Sequence, residues 1–171
     1  GASAVEFTQG AQQCVVNGCH FHDISGAAVQ IGTVNSSQVM DPAAQDRFIV
    51  VNNSVISLPA AEFMESLVSS QEFAVACDDC LAGSKSSLIV SERLLVATGI
   101  NVGYSYGTVI SHNEVFNTTW CGISVGYGWS RHPGSYAGNV TVSYNRVHDY
   151  KKTLHDGGGI CEYTSNSLLG H

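Results

Sequence analysis

The chain has 171 residues and a formal net charge of −7, with 12% charged and 44% apolar residues. This length suits one domain with a buried core, and the abundance of Gly, Ser, Asn, Thr and Val favours β structure over a helix bundle. The largest basic cluster is Lys151 with Lys152, too small for a nucleic-acid interface. No apolar run approaches the roughly 18 residues of a membrane span. We expect a monomer without a nucleic-acid partner or membrane span.

In chain order, one short sequence motif recurs four times, as VNGCHFHD (16–23), VVNNSVIS (50–57), ISHNEVFN (110–117) and VSYNRVHD (142–149). Alignment of the copies gives an apolar column, a mostly Asn column and a second apolar column. The predicted columns are Val16, Val50, Ile110 and Val142; Cys19, Asn53, Asn113 and Asn145; and Phe21, Val55, Val115 and Val147. No copy could bury its apolar residues alone, which is the condition for a solenoid of stacked repeats.

A second text, GINVGYS (99–105), returns as GISVGYG (122–128). The spacing of 23 residues between Ile100 and Ile123, and of 24 between Val5 and Val29, is typical of one turn of a parallel β solenoid. Strand alternation turns Ile123 inward and Ser124 outward. The predicted outward column of the first strand in each turn contains Glu6, Gln30, Asn101, Ser124 and Cys161.

The texts SYNRVHDY, GISVGYGW and HDGGGI (155–160) resemble the right-handed parallel β-helix, or pectin-lyase-like, repeat family and its glycoside-hydrolase-like members. The resemblance covers roughly three quarters of the chain and implies an all-β, single-stranded solenoid. We expect about four complete rungs from a longer β-helix, coiled right-handed like most parallel crossovers. It also implies that Asn53, Asn113 and Asn145 stack at a bend, and that substrate lies along the outward column of the first strands.

One domain, 1–171, is predicted, with a non-repeat insertion at about 60–98. This insertion carries the CxxC pair Cys77 and Cys80 and could form one or two short helices. Three interpretations stay open: a packed lid over the substrate groove, a mobile insertion, or a stretch foreign to the fold.

The other cysteines are scattered through β-like sequence and are expected to be small buried apolar residues. These cysteines are Cys14, Cys19, Cys121 and Cys161. A zinc site at the CxxC is not expected, because no second pair and no histidines at ligand spacing accompany it. We expect neither a metal nor a cofactor.

Two long loops frame the predicted outward column. The loop 127–139 combines aromatic and cationic residues that could stack on sugar rings and bind hydroxyl or carboxylate groups, although they could also simply cover the core. The loop 149–159 brings histidines and acids towards the next first strand. The predicted substrate-binding residues are Tyr127, Trp129, Arg131, His132, His148, His155, Ser124 and Asn101.

Three carboxylates are candidate catalytic residues: Asp156 first, then Asp149 and Glu162. Paired carboxylates beside an aromatic groove suggest glycoside hydrolysis, although Asp149 and Asp156 could instead close turns. Glu162 would face the core under strict alternation, so it qualifies only if the strand bulges outward.

The predicted partner is therefore a polysaccharide or oligosaccharide, and the favoured activity is that of a glycoside hydrolase. A non-catalytic glycan-binding or adhesin-type solenoid is the alternative. A polysaccharide lyase is less favoured, since no cluster of outward Asp and no Lys or Arg lies on the column. N-glycosylation sequons begin at Asn35, Asn52, Asn117 and Asn139, which is compatible with a secreted or cell-surface protein.

Overall fold

The computed structural model describes residues 3–24, 26–32, 41–58, 98–126, 138–152 and 157–162, together with the backbone of 74–77. These residues form short strands and turns, and no helix occurs among them. Accordingly, the described part of the chain contains no helix long and apolar enough to cross a membrane.

The strands assemble into three main sheets in which every pair but one is parallel. The first sheet has the order β1 (Val5–Phe7), β4 (Val29–Ile31), β9 (Ile100–Val102), β13 (Ile123–Val125) and β16 (Ile160–Glu162). The second has the order β2 (Val15–Asn17), β6 (Val50–Asn52), β11 (Val109–Ser111) and β14 (Thr141–Ser143). The third contains β8 (Ala74–Cys77), β3 (Cys19–His22), β7 (Val55–Ser57), β12 (Glu114–Phe116) and β15 (Arg146–His148). The chain visits the sheets in turn, which is consistent with a β-solenoid.

The predicted register of the first sheet is confirmed. Val5 lies opposite Val29, and Ile100 lies opposite Ile123. The expected outward column of Glu6, Gln30, Asn101, Ser124 and Cys161 is one continuous row of strand partners. The inward residues of β4, β9 and β13 belong to the core, and those of β4 and β9 are completely buried, whereas Ile160 and Glu162 of the edge strand β16 are exposed. Burial of these Val and Ile side chains stabilises the stack by about 1.5–3 kcal/mol per residue.

The predicted register of the second repeat copy is wrong by one residue. Val51, not Val50, pairs with Val16 and Ile110, and Ile56, not Val55, pairs with Phe21 and Val115. Both Val51 and Ile56 are completely buried. Apolar residues stand next to each other in this copy, so alternation alone allowed either register.

The expected asparagine stack is also corrected, because Ser54 rather than Asn53 occupies the position equivalent to Asn113 and Asn145. The left-handed backbone at this bend belongs to the residue before that position, which is Gly18, Asn53, His112 or Tyr144. The stacking residues thus act through their side-chain hydrogen bonds and not through tolerance of a positive φ.

β8 lies within the predicted insertion, where these four residues form a strand and not one of the short helices that the sequence allowed. It pairs antiparallel with β3, with Cys77 opposite Cys19. This segment therefore extends the edge of the third sheet, whereas a lid would have to cover the first. The remainder of the insertion, including Cys80, lies outside the described residues.

A short fourth sheet turns the chain from the first sheet towards the second. It contains β5 (Asp46–Arg47) and β10 (Ser105–Tyr106), and bridges to Gln12 and Gly138 extend it at both edges. The next residue in each layer has a positive φ: Gln13, Phe48, Gly107 and Asn139. The stack thus has a regular corner here, and we call these four residues the left-handed corner column.

Candidate functional site

The outer face of the first sheet carries a row of polar side chains, Glu6, Gln30 and Asn101, on adjacent strands. Asn101 Nδ2 donates a hydrogen bond to Gln30 Oε1 at 2.7 Å, and Gln30 Nε2 donates to the carbonyl of Gly32 at 2.8 Å. Hydrogen bonds at both the oxygen and the nitrogen thus fix the orientation of the Gln30 side-chain amide. Adjacent strands lie about 4.8 Å apart, close to the length of a sugar ring. We call these three residues the first-sheet row.

Glu6 is the exposed end of this row, and partial burial raises the pKa of its carboxyl. A raised pKa keeps more of the acid protonated near neutral pH, as a general acid requires. The sequence pattern placed Glu6 in the outward column but gave no indication of this environment.

A disulfide between Cys121 and Cys161 lies at the other end of the outward column, beyond Ser124. Cys161 follows Ser124 in the outward column, yet Ser124 is only 3% exposed and Cys161 only 9%. Ser124, a predicted substrate-binding residue, therefore lies in the outward column but is covered, and the accessible part of that column is the first-sheet row of Glu6, Gln30 and Asn101.

The expectation that the four cysteines outside the insertion are buried is confirmed, and of these four Cys14 is free. Cys121 and Cys161 are paired, and Cys19 is also disulfide-bonded. Cys121, two residues before β13, and Cys161, within β16, stand 40 residues apart, so their pairing depends on strand stacking that spacing alone does not specify.

His148 and Asp149, predicted as a binding and a catalytic residue, do come together, but at the end of the third sheet. His148 Nδ1 lies 2.9 Å from Asp149 Oδ2, and His148 Nε2 lies 3.1 Å from Glu114 Oε1. The imidazole also stacks on Phe116, with ring centroids 5.1 Å apart. Arg146 pairs with Glu114 at 3.0 Å. Glu114 is a member of this cluster that the sequence pattern does not indicate.

The charges of this cluster reinforce one another. Hydrogen bonds to Asp149 and Glu114 raise the pKa of His148. The same contact with His148, together with Lys152 at 3.3 Å, lowers the pKa of Asp149. With both ring nitrogens facing carboxylates, His148 is best suited to the imidazolium form, and Asp149 is suited to act as a carboxylate and not as a proton donor.

Glu162 fits neither arrangement expected for it, a side chain buried in the core or a strand that bulges outward. It pairs with Val125 in the same continuous register as its neighbours, without a bulge, and yet it is exposed. Glu6 and Glu162 belong to strands at opposite edges of the five-stranded sheet. Four strand spacings separate them by about 19 Å, beyond the roughly 5–10 Å of paired glycosidase carboxylates.

Six predicted residues lie outside the described residues: Tyr127, Trp129, Arg131, His132, His155 and Asp156. The structure nevertheless shows where the loop 127–139 rejoins the stacked strands, because Gly138 bridges to Tyr106. Arg47 lies over the Tyr106 ring at 5.0 Å and over the Phe48 ring at 5.3 Å. The loop thus rejoins the stack beside an aromatic and cationic surface.

Asp46 is a buried acid near the same corner that the sequence pattern does not indicate. Its carboxylate accepts a hydrogen bond from the Ala11 N–H at 2.7 Å, and its side chain is among the buried polar groups at 2% exposure. Burial is the main cause that raises the pKa of Asp46 to about 6, and the charge of Glu6 adds to it. No periodic signal could reveal it, because β5 has only two residues.

Within the part of the chain that the structure describes, no group of three or more His, Cys, Asp or Glu side chains could hold a metal ion. Comparisons with protein-family models, with curated proteins and with solved structures found no match.

Proposed function

We propose that this chain is a carbohydrate-active, right-handed parallel β-helix of the pectin-lyase-like type, with about four complete rungs. Its ligand is a polysaccharide or oligosaccharide that lies along the first-sheet row. The favoured activity is hydrolysis of a glycosidic bond.

The observation that carries this proposal is the hydrogen-bonded row of Gln30 and Asn101 beside the raised-pKa carboxyl of Glu6. Side-chain amides donate and accept hydrogen bonds, so they suit the hydroxyl groups of sugars. Their repetition at strand spacing offers several contacts to a chain molecule. The amides are already oriented, which lowers the entropy lost on binding.

A non-catalytic glycan-binding protein is the second candidate, favoured by the position of the described carboxylates. Glu6 and Glu162 are too far apart to act as a pair, and Asp149 is held by His148 and Lys152 on the third sheet. Hydrolysis at this row would therefore need Asp156 as the partner of a described acid.

A secreted or cell-surface location fits this proposal. Cys121 and Cys161 form a disulfide and Cys19 is also bonded, and structural disulfides persist mainly in oxidising compartments.

The first test is a screen of the intact chain against a broad set of polysaccharides and oligosaccharides, with binding and release of reducing ends as separate readouts. Asn101→Ala should weaken binding of any glycan found by about 5- to 10-fold, the loss of one or two hydrogen bonds. His20→Asn is the matched control, because His20 is an exposed residue on the third sheet. Equal losses in both variants, or no glycan bound at all, would contradict the proposal.

Asp156→Asn separates the two candidates. If the protein is a hydrolase, this variant retains glycan binding and loses cleavage by about 100-fold or more. If the wild-type chain binds a glycan that it does not cleave, the non-catalytic alternative is correct.

A further inference from the structure

Two of the four N-glycosylation sequons differ sharply in how the fold presents them. Asn52 and Asn139 each begin an Asn-x-Ser/Thr motif next to or within a strand of the second sheet. The acceptor needs an accessible Asn amide and the hydroxyl two residues later. The folded positions of these groups therefore distinguish the two motifs, whereas the sequence does not.

The Asn52 motif is closed. Asn52 lies within β6, which pairs with strands on both sides, and its Oδ1 is buried without a hydrogen-bond partner. Ser54 is 1% exposed, accepts a hydrogen bond from the Cys19 N–H at 3.2 Å and donates one to the Asn52 carbonyl at 2.9 Å. A glycan on Asn52 would have to break this packed arrangement.

The Asn139 motif is open. Asn139 has a φ of 52° and is exposed, and Thr141 at the start of β14 is exposed as well. The backbone N–H of Thr141 is bonded to the Thr108 carbonyl at 2.8 Å, so the turn is held by the main chain while its side chains stay accessible. This is the surface turn that a bulky modification tolerates.

The exposure of Asn139 follows from its place in the left-handed corner column. Gln13 and Phe48 occupy the same column in other layers, and both side chains are exposed. Phe48 is 46% exposed although its layer has a neighbouring layer on either side. Side chains at this corner therefore point outward even in a layer that has neighbouring layers on both sides.

We propose that Asn139 is an N-glycosylation site. A lipid-diphosphate-linked oligosaccharide is the donor: the bond from sugar C1 to the diphosphate oxygen breaks and a bond from C1 to Asn139 Nδ2 forms. The amide loses one proton and the lipid diphosphate leaves. The disulfides of Cys19 and Cys121 fit passage through the oxidising compartment where this transfer occurs. The inference does not depend on what the first-sheet row binds.

The test is secretion of the chain from a eukaryotic cell line, followed by enzymatic removal of N-glycans in heavy-oxygen water, which converts each modified Asn into labelled Asp. Peptide mass spectrometry should find label at Asn139 and none at Asn52. Asn139→Gln and Thr141→Ala should each lose the mass of one glycan. Thr141→Ser, the matched control, retains an acceptor hydroxyl and should keep it. An unmodified Asn139 in the secreted protein, or equal label at Asn52, would overturn the proposal.

Discussion

The side-chain carbonyl of Asn145 accepts two hydrogen bonds from Asn113, one from its backbone N–H and one from Nδ2, each at 3.0 Å. Asn113 makes hydrogen bonds of the same kind to the neighbouring layer. Its Oδ1 accepts from the Ser54 N–H at 3.0 Å, and its Nδ2 also donates to the Val51 carbonyl at 3.0 Å. We expect Asn113→Ala to lower the free energy of unfolding by about 2–4 kcal/mol, because buried backbone groups lose their partners. Urea denaturation measures this change.

Asn53→Gly is the control for the asparagine stack. Asn53 is exposed, donates only to Asn17 Oδ1 among the described side chains, and has a φ of 50° that glycine adopts readily. Its replacement should cost less than about 1 kcal/mol. Equal losses in Asn53→Gly and Asn113→Ala would contradict the corrected register.

Gly122 immediately precedes β13 and lies close to Val147 and Gly159 of the next layer. A methyl group there would lie 2.8 Å from the Gly159 carbonyl oxygen and would also overlap Val147 Cγ1. Gly122→Ala should therefore destabilise the protein by about 3 kcal/mol. Gly158→Ala is the matched control, because its added methyl has only ordinary contacts at 3.6 Å and beyond. Thermal unfolding of both variants checks the prediction; a Gly122→Ala protein as stable as Gly158→Ala would contradict it.

The sequence predicted the first-sheet register because Ile100 and Val102 alternate strictly with a polar residue, and Ile123 and Val125 do the same. It failed at the second repeat copy, where adjacent valines allow two alternations and only packing against neighbouring layers decides. The disulfide and the buried Asp46 depend on contacts between residues 40 and 35 positions apart. Such contacts leave no periodic trace in the sequence.

Asp46 should make stability fall as the pH rises. Its pKa is raised from an ordinary 3.8 to about 6, so between these values the native state holds more protons than the unfolded state, and the unfolding free energy decreases. Two pKa units correspond to about 3 kcal/mol. Asp46→Asn should remove most of this dependence between pH 4 and 6. Urea denaturation of both proteins across this range measures it; an unchanged slope in the variant would contradict the assignment.

The disulfide between Cys121 and Cys161 should contribute strongly to stability. It closes a segment with a sequence separation of 40, and the chain-entropy model assigns about 4 kcal/mol to a loop of this length. The double variant Cys121→Ser and Cys161→Ser should lower the urea midpoint accordingly. Non-reducing peptide mapping identifies the bond, and finding Cys14 in it would contradict the structure.

His148 should titrate above its ordinary range. Because its pKa is raised by Asp149 first and by Glu114 second, its stabilising contribution is complete below about pH 6.5 and is lost as the pH rises through the folded pKa. The pKa of Asp149 is lowered, so its own contribution is present above about pH 4 and lost under more acid conditions.

NMR titration of the His148 ring protons checks these assignments. Asp149→Asn should lower the pKa of His148 most and Glu114→Gln should lower it less. A pKa that neither variant changes would show that the two carboxylates do not contact the imidazole in solution.

The most direct test of the central claim is an NMR titration of the ¹⁵N-labelled protein with a glycan found in the screen. The account predicts that the side-chain amide signals of Gln30 and Asn101 shift together and saturate with one dissociation constant. Side-chain amide signals of the second sheet, such as that of Asn17, should stay unchanged. Shifts confined to residues of the second or third sheet, with Gln30 and Asn101 unaffected, would contradict binding at the first-sheet row.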